Sequence, residues 1–138
     1  MITVRKQELV NINDVLHLYQ AVGWTNYTHQ PQMLEKSLSH SLAIYLALDG
    51  DAVVGLVRLV GDGFSSVFVQ DLIVLPSYQR QGIGSDLMKE ALGDYKDVYQ
   101  VQLVTEQTEK TLGFYRSLGF ETLSTYDCTG MIWVDRKR

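Results

Sequence analysis

Cysteine, proline and histidine are scarce in this chain of 138 residues. A single cysteine, Cys128, excludes an internal disulfide and any site built on paired thiolates. Only two prolines occur, Pro31 and Pro76, and no proline- or serine-rich linker divides the chain. The three histidines, His17, His29 and His40, share no metal-ligand spacing, so no metal is expected. A basic excess is also missing. Twelve Lys+Arg against sixteen Asp+Glu leave a net charge of −4, the opposite of a nucleic-acid footprint. The longest unbroken apolar run, Leu42 to Leu48, is too short to span a bilayer. The first residues, Met1-Ile2-Thr3-Val4-Arg5-Lys6, lack a signal peptide's apolar stretch. Together these absences imply a soluble, cytoplasmic protein without membrane or nucleic-acid partners. The acidic balance favours a cationic partner, or serves solubility alone.

What remains is ordinary globular composition, 46% apolar and 20% charged, which excludes a mostly disordered chain. The length suits one domain over residues 1–138. Ile2 to Arg5 reads as a first strand. Asn11 or Asn13 caps a helix with apolar positions Ile12, Val15, Leu16, Tyr19 and Val22, and Gly23 ends it. Trp24 to Gln30 reads as a loop, and Pro31 opens a second helix carrying Met33, Leu34 and Leu38. Leu42 to Leu48 and Ala52 to Val60 form a hairpin about Asp49-Gly50. Val67 to Leu75 is a strand expected to be buried on both faces, stopped by Pro76. A helix starts at Gly82 with the stripe Ile83, Leu87, Met88, Ala91 and Leu92. Val98 to Val104 is a strand, and Thr108 to Leu118 a helix stopped by Gly119. Phe120 to Ser124 and Gly130 to Val134 read as a closing pair of strands. The order β-α-α-β-β-β-α-β-α-β-β predicts an α/β class with a mixed sheet and helices on its faces.

The chemistry concentrates between Asp71 and Ser85. A strand ends, a polar turn follows, and Gly82 and Gly84 open a helix. A helix start offers backbone N–H groups without partners and a partial positive charge. Glycines let an anion's oxygens approach those groups, which makes a cradle for phosphate or pyrophosphate. No Gly-Lys-Ser/Thr follows, so this is not a P-loop, and the glycine spacing is not that of a dinucleotide fold. Glycines kept only for tight packing are the competing reading.

Gln79-Arg80-Gln81-Gly82-Ile83-Gly84 resembles the Gln/Arg-x-x-Gly-x-Gly/Ala motif of the GCN5-related N-acetyltransferase (GNAT) superfamily. It follows Val74-Leu75-Pro76, as in that family. Downstream, Phe114-Tyr115-Arg116-Ser117-Leu118-Gly119-Phe120 is similar to the family's Phe-Tyr-x-x-x-Gly-Phe segment. The resemblance implies the GNAT fold and an acetyl-CoA-dependent transferase. It implies that backbone N–H groups of Gln81, Gly82, Ile83, Gly84 and Ser85 hold the pyrophosphate, with Gln79 in the same turn and Arg80 at the rim. It also implies that the backbone of Leu72, Ile73 and Val74 pairs with the pantetheine arm. An N–H near Ile73 then faces the thioester oxygen.

The same resemblance casts Tyr115 as the acid that protonates the leaving thiolate. A phenol with a pKa near ~10 can serve a thiol with one near ~8.5. The competing fate of Tyr115 is a core aromatic beside Phe114. Asp71 is cast as general base or as anchor of a cationic amine, its pKa raised by apolar neighbours. A purely structural carboxylate is the alternative. Trp24 and Tyr27, with His29 nearby, stand where the family lines its acceptor pocket; otherwise they form an aromatic cap on the core. The family often has asparagine where Thr108 stands, contacting pantetheine. Cys128 reads as a packed small residue, and Glu106, Glu109 and Lys110 as a solvated helix start.

The implied activity is acetyl transfer to a primary amine of a small molecule by direct attack in a ternary complex. Val22-Gly23-Trp24-Thr25 after the first helix, together with Asp71 before the cradle, resembles a subgroup linked to small amines, including arylalkylamines. Acetylation of protein lysines or N-termini, and a non-catalytic acyl-CoA sensor, are the alternatives. Family members are often dimers, and a homodimer is expected here.

Overall fold

The computed structural model describes residues 1–134. It divides into two compact units, Met1–Leu103 and the smaller part from Val104 onward. The first unit holds a five-stranded sheet in the order β1-β2-β3-β4-β5. Its strands are β1 (Ile2–Lys6), β2 (Ala43–Asp49), β3 (Ala52–Gly61), β4 (Ser66–Val74) and β5 (Gln100–Leu103). The first four pair antiparallel in sequence order; β5 joins β4 in parallel. Its helices are α1 (Ile12–Ala21), α2 (Thr25–Thr28), α3 (Pro31–Ser39) and α4 (Ile83–Asp94). The second unit contains α5 (Glu109–Ser117) and a 3₁₀ turn, Leu123–Tyr126. Among the described residues, no helix is long and apolar enough to cross a membrane.

Local signals explain most element ends. The Asn11 side chain accepts from the Asn13 N–H and caps α1, and Pro31 occupies the first turn of α3. The β2–β3 hairpin turns at Gly50, whose φ is +61°. Asp62 closes the next turn by accepting from the N–H groups of Phe64, Ser65 and Ser66. The Ser65 hydroxyl, which donates to its other oxygen, and those backbone bonds hold its carboxyl well below the usual range.

The sheet is sandwiched. On one face α1 and α3 bury Val15, Leu18, Leu34 and Leu38 against Leu46, Leu56 and Ile73. On the other, Leu87, Met88 and Ala91 of α4 are buried, with α4 lying on β2 and β3. Both middle strands are therefore covered on both faces, and β2 reads as an almost continuous apolar run.

Three expectations are corrected. Trp24 to Gln30 is not all loop, because Tyr27 docks into the core and draws Thr25–Thr28 into the one-turn helix α2. The strand β4 is not buried on both faces: Val67, Val69, Asp71 and Ile73 are buried, while Leu72 and Val74 are half-buried. Arg58 and Leu59 are adjacent on β3 and face opposite ways, and so do their partners Asp71 and Val69; the two halves of β4 therefore bury different faces, each leaving its other face half-covered. The closing pair of strands is absent. Phe120 completes the end of α5, and the hydroxyl of Thr122 bonds locally to Ser124 and Thr125, which favours the 3₁₀ turn over extended pairing. Gly130 to Val134 meets no partner strand among the described residues.

Candidate active site

The strand β4 changes partners at Gln70. Arg58 pairs with Asp71 and Leu59 with Val69, so Gln70 is an extra residue, a β-bulge. The pairing with β5 runs from Ser66↔Gln100 to Val69↔Leu103 and stops there. Beyond the bulge, β4 continues to Val74 with its outer edge unpaired among the described residues. The Leu75 N–H donates to Val54 on β3. Antiparallel alternation then directs the Ile73 N–H to β3 and the N–H groups of Leu72 and Val74 to the open edge. The edge donors near Ile73 are thus those of Leu72 and Val74, on either side of it. The Val74 carbonyl on the same edge accepts from Gln79 Nε2 at 3.0 Å, which folds the following turn back onto the strand.

That turn is a row of free donors. After the 3₁₀ turn Pro76–Tyr78, Arg80 has φ +66° and Gly82 φ +82°. Alternating left-handed residues point successive N–H groups into one concavity. None of the N–H groups from Arg80 through Ser85 has an acceptor among the described residues; the first helical bond is Asp86 N–H to Gly82. A Cβ on Gly82 would meet no atom, so the space before the turn is open, and its conformation is one that side chains resist. Ile83 buries its side chain and anchors the helix, which leaves only its backbone to a ligand. Gln81, Gly82, Ile83, Gly84 and Ser85 are thus together where the sequence put them, with Arg80 exposed at the edge.

Asp71 stands in different company from that expected. It is 2% exposed and its neighbours are polar. Arg58 Nε donates to Oδ2 at 2.8 Å, Tyr19 to Oδ2 at 2.9 Å and Tyr27 to Oδ1 at 3.0 Å. Arg58 Nη2 also reaches the Tyr27 hydroxyl at 3.1 Å, and its Nη1 reaches Ser41. The cation held by Asp71 is Arg58, and both of its carboxylate oxygens are engaged by donors. The structural alternative describes it best. Tyr27 is buried with its hydroxyl committed to this cluster, so it is part of the aromatic cap. Trp24, half-buried, packs on Tyr19 and Tyr27 with ring centroids 6.1 and 6.4 Å away. Burial raises both Tyr19 and Tyr27, and Asp71 adds to it.

The sequence reading missed Arg58 and Tyr19. The signal was present: a charge inside Leu56-Val57-Arg58-Leu59, in the middle of a core strand, demands a buried counter-charge. Tyr19 reads in the sequence as one apolar position of the α1 stripe.

In the second unit, the Thr108 hydroxyl caps α5 by accepting from the Thr111 N–H and donates to Thr111 Oγ1 at 2.8 Å. In the structure it serves as a helix cap. Tyr115 is held by its own helix end. Phe120 N–H bonds the Tyr115 carbonyl and Gly119 N–H that of Arg116, with Gly119 at φ +98°. This is a Schellman motif, and its usual apolar contact is between the Tyr115 and Phe120 rings, 5.8 Å apart. Phe114 packs edge-on at 4.9 Å. The Phe-Tyr-x-x-x-Gly-Phe spacing is therefore a device for fixing one tyrosine ring. Burial raises its pKa, partly offset by the Thr105 side chain.

A cleft of about 620 Å³ lies on the α1 side of the sheet, bordered by Asn13, Asp14, His17, Leu75 and Tyr78. None of the residues assigned to acetyl transfer lines it. His17 there bonds the Val53 carbonyl at 2.8 Å.

A strand edge released at a bulge, followed by a row of free N–H groups at a helix start, defines a protein built to hold an extended ligand with an anionic end. Residues 40–122 match the family model described as "Acetyltransferase (GNAT) domain", and the chain belongs to that family of acyltransferases. It is 29% identical over 140 residues to GCN5-related N-acetyltransferase 1, chloroplastic, of Arabidopsis thaliana, covering 97% of this chain and 68% of that protein. It is 33% identical over 117 residues to Serotonin N-acetyltransferase 2, chloroplastic, of Oryza sativa subsp. japonica, covering 80% of this chain and 56% of that protein. A solved GNAT family acetyltransferase, SP0256 from Streptococcus pneumoniae TIGR4, is 79% identical with a TM-score of 0.92, over 99% of each chain.

Proposed function

We propose that this acetyltransferase uses acetyl-CoA to acetylate the primary amine of a small molecule by direct attack in a ternary complex. The observation that carries it is the row of unpartnered N–H groups from Arg80 through Ser85 beside the open edge of β4. The turn grips the pyrophosphate, and the free edge at Leu72 and Val74 pairs with the pantetheine amides as an added strand would. The N–H groups of that edge stabilise the oxyanion as the amine nitrogen bonds to the thioester carbon. The carbon–sulfur bond breaks, and Tyr115 protonates the departing thiolate. The amine gives its surplus proton to water, since the oxygens of Asp71 are engaged. Trp24 contributes to the acceptor wall. The likeness to a protein named as a serotonin N-acetyltransferase supports a small aromatic amine.

The test is a thiol-release assay with acetyl-CoA and a panel of arylalkylamines, polyamines and lysine peptides, alongside thermal unfolding with coenzyme A. Turnover of small amines with a rise in melting temperature supports the reading. Turnover of peptides alone removes the acceptor assignment, and no melting shift with any acyl-CoA removes the cradle.

A further inference from the structure

The cleft on the α1 side of the sheet is lined only by residues of the first unit, from Arg5 to Tyr78. Its volume of about 620 Å³ falls among pockets that hold small organic ligands, roughly 300–1,000 Å³. Its floor is apolar. Leu46 and Leu48 of β2 and Val53 of β3 belong to or pack on the core beneath α1, and Leu75, just after β4, joins them.

Two hydrogen bonds hold the walls. His17 of α1 bonds the Val53 carbonyl through Nε2 at 2.8 Å, and Tyr78 donates to Asp49 Oδ2 at 2.6 Å. A carbonyl only accepts, so Nε2 carries the hydrogen and Nδ1 is left for another partner. One bond ties α1 to β3, and the other ties the turn Pro76–Tyr78 to the β2–β3 hairpin. A cleft held in this way needs little ordering when a ligand enters.

The rim sets the sign of the occupant. Asp14, one turn before His17 on α1, and Asp51, in the hairpin turn, are both exposed. Neither carboxylate joins an ion pair among the described residues. Arg5 of β1, level with Leu46, is the one guanidinium of the lining. Two carboxylates against one guanidinium favour a cation over an anion. A bare metal ion would leave the apolar floor uncovered, and an uncharged hydrocarbon would leave the carboxylates unused.

We propose that this cleft is a second small-molecule site and that it takes an organic cation. Asp14 and Asp51 hold an ammonium group, and its apolar body lies on Leu46, Leu48, Val53 and Leu75. None of the residues assigned to acetyl transfer lines the cleft, so the inference stands independently of that reaction.

The experiment follows backbone amide shifts by NMR in the full chain saturated with coenzyme A. The probe is N,N-dimethylphenethylamine, a cation with an apolar ring whose tertiary nitrogen yields no stable amide. The expected result is saturable shifts at Asp14, His17 and Asp51 to Val54, with the Trp24 indole unmoved and no response to the anion 3-phenylpropionate. Asp14→Asn with Asp51→Asn should weaken the probe by about three- to tenfold, as for exposed charge contacts, and added salt should narrow that difference. Shifts confined to the surroundings of Trp24 and Tyr27 overturn the inference by placing the amine on the acceptor wall. The absence of any saturable shift at millimolar probe overturns it as well. An equal response to 3-phenylpropionate, or undiminished binding in the double variant, overturns the assignment of a cation. Should the double variant fail to fold, the native shift map and the anion comparison decide alone.

Discussion

Arg58 and Asp71 face each other across neighbouring strands, Nε to Oδ2 at 2.8 Å, with 4 and 2% of their surfaces exposed. The pair sits beside Gln70, where β4 bulges and leaves β5, so it fastens β4 to β3 as the other edge comes free. Breaking one partner strands a charge in the core. Arg58→Met or Asp71→Asn should therefore each lower stability by about 3–5 kcal/mol in chemical denaturation. The double replacement Arg58→Met with Asp71→Asn should cost clearly less than the sum of the single changes, because no charge is left unpaired. Additive losses would mean that the two side chains do not act as a pair.

Tyr115 gives the second expectation. Tyr115→Phe keeps the ring contacts with Phe114 and Phe120 and removes only the hydroxyl. If the phenol protonates the thiolate, kcat should fall by about 10²- to 10⁴-fold while the KM for acetyl-CoA stays nearly constant. Burial raises the tyrosine above its ordinary value near ~10, so the acid form persists across neutral pH and any loss from its ionisation begins only on the alkaline side. A variant as fast as the native enzyme would return Tyr115 to a packing role.

The cradle yields a contrast between side chain and backbone. Gly82 has φ +82°, so Gly82→Val should cost about 1–3 kcal/mol of strain and displace the N–H groups around it. Coenzyme A should then no longer raise the melting temperature. Gln81→Ala leaves its backbone donor in place and should keep that shift. Arg80→Ala should weaken binding modestly, and more at low salt than at high salt. Equal damage from Gln81→Ala and Gly82→Val would contradict a site made of main chain.

The sequence was most readable where local chemistry decides the structure. Asn11, Pro31, Gly50, Thr108 and Gly119 each act within a few residues and mark element ends correctly. The turn from Gln79 to Ser85 was legible for the same reason, since its donors come from the chain's own path. Less readable was whatever depends on a distant partner. Asp71 owes its character to Arg58, Tyr19 and Tyr27, which lie 13, 52 and 44 residues away. The bulge at Gln70 carries no signature of its own, because it exists only relative to β3. Gly130 to Val134 has the composition of a strand, but a strand also needs an edge to join, and composition does not say whose.

The buried phenols set the alkaline limit of the fold. Tyr19 and Tyr45 are 0 and 1% exposed and donate to Asp71 and Asp94. Burial raises both well above the ordinary value, and each carboxylate partner adds to it, since a phenolate would lie against another negative charge. Below about pH 10 the phenols are protonated in folded and unfolded chains alike, so they add no slope to stability. Above it the unfolded chain loses those protons and the folded chain keeps them. The folded state then binds more protons, and stability falls as pH rises. Melting temperature should be flat through neutral pH and drop beyond about pH 10. Absorbance of phenolate from Tyr19 and Tyr45 should rise only together with unfolding. Tyr45→Phe should remove part of the alkaline slope without changing the neutral plateau's shape. If both buried tyrosines titrate while circular dichroism stays native, their hydroxyls are open to water and the cluster around Asp71 is looser than the distances require.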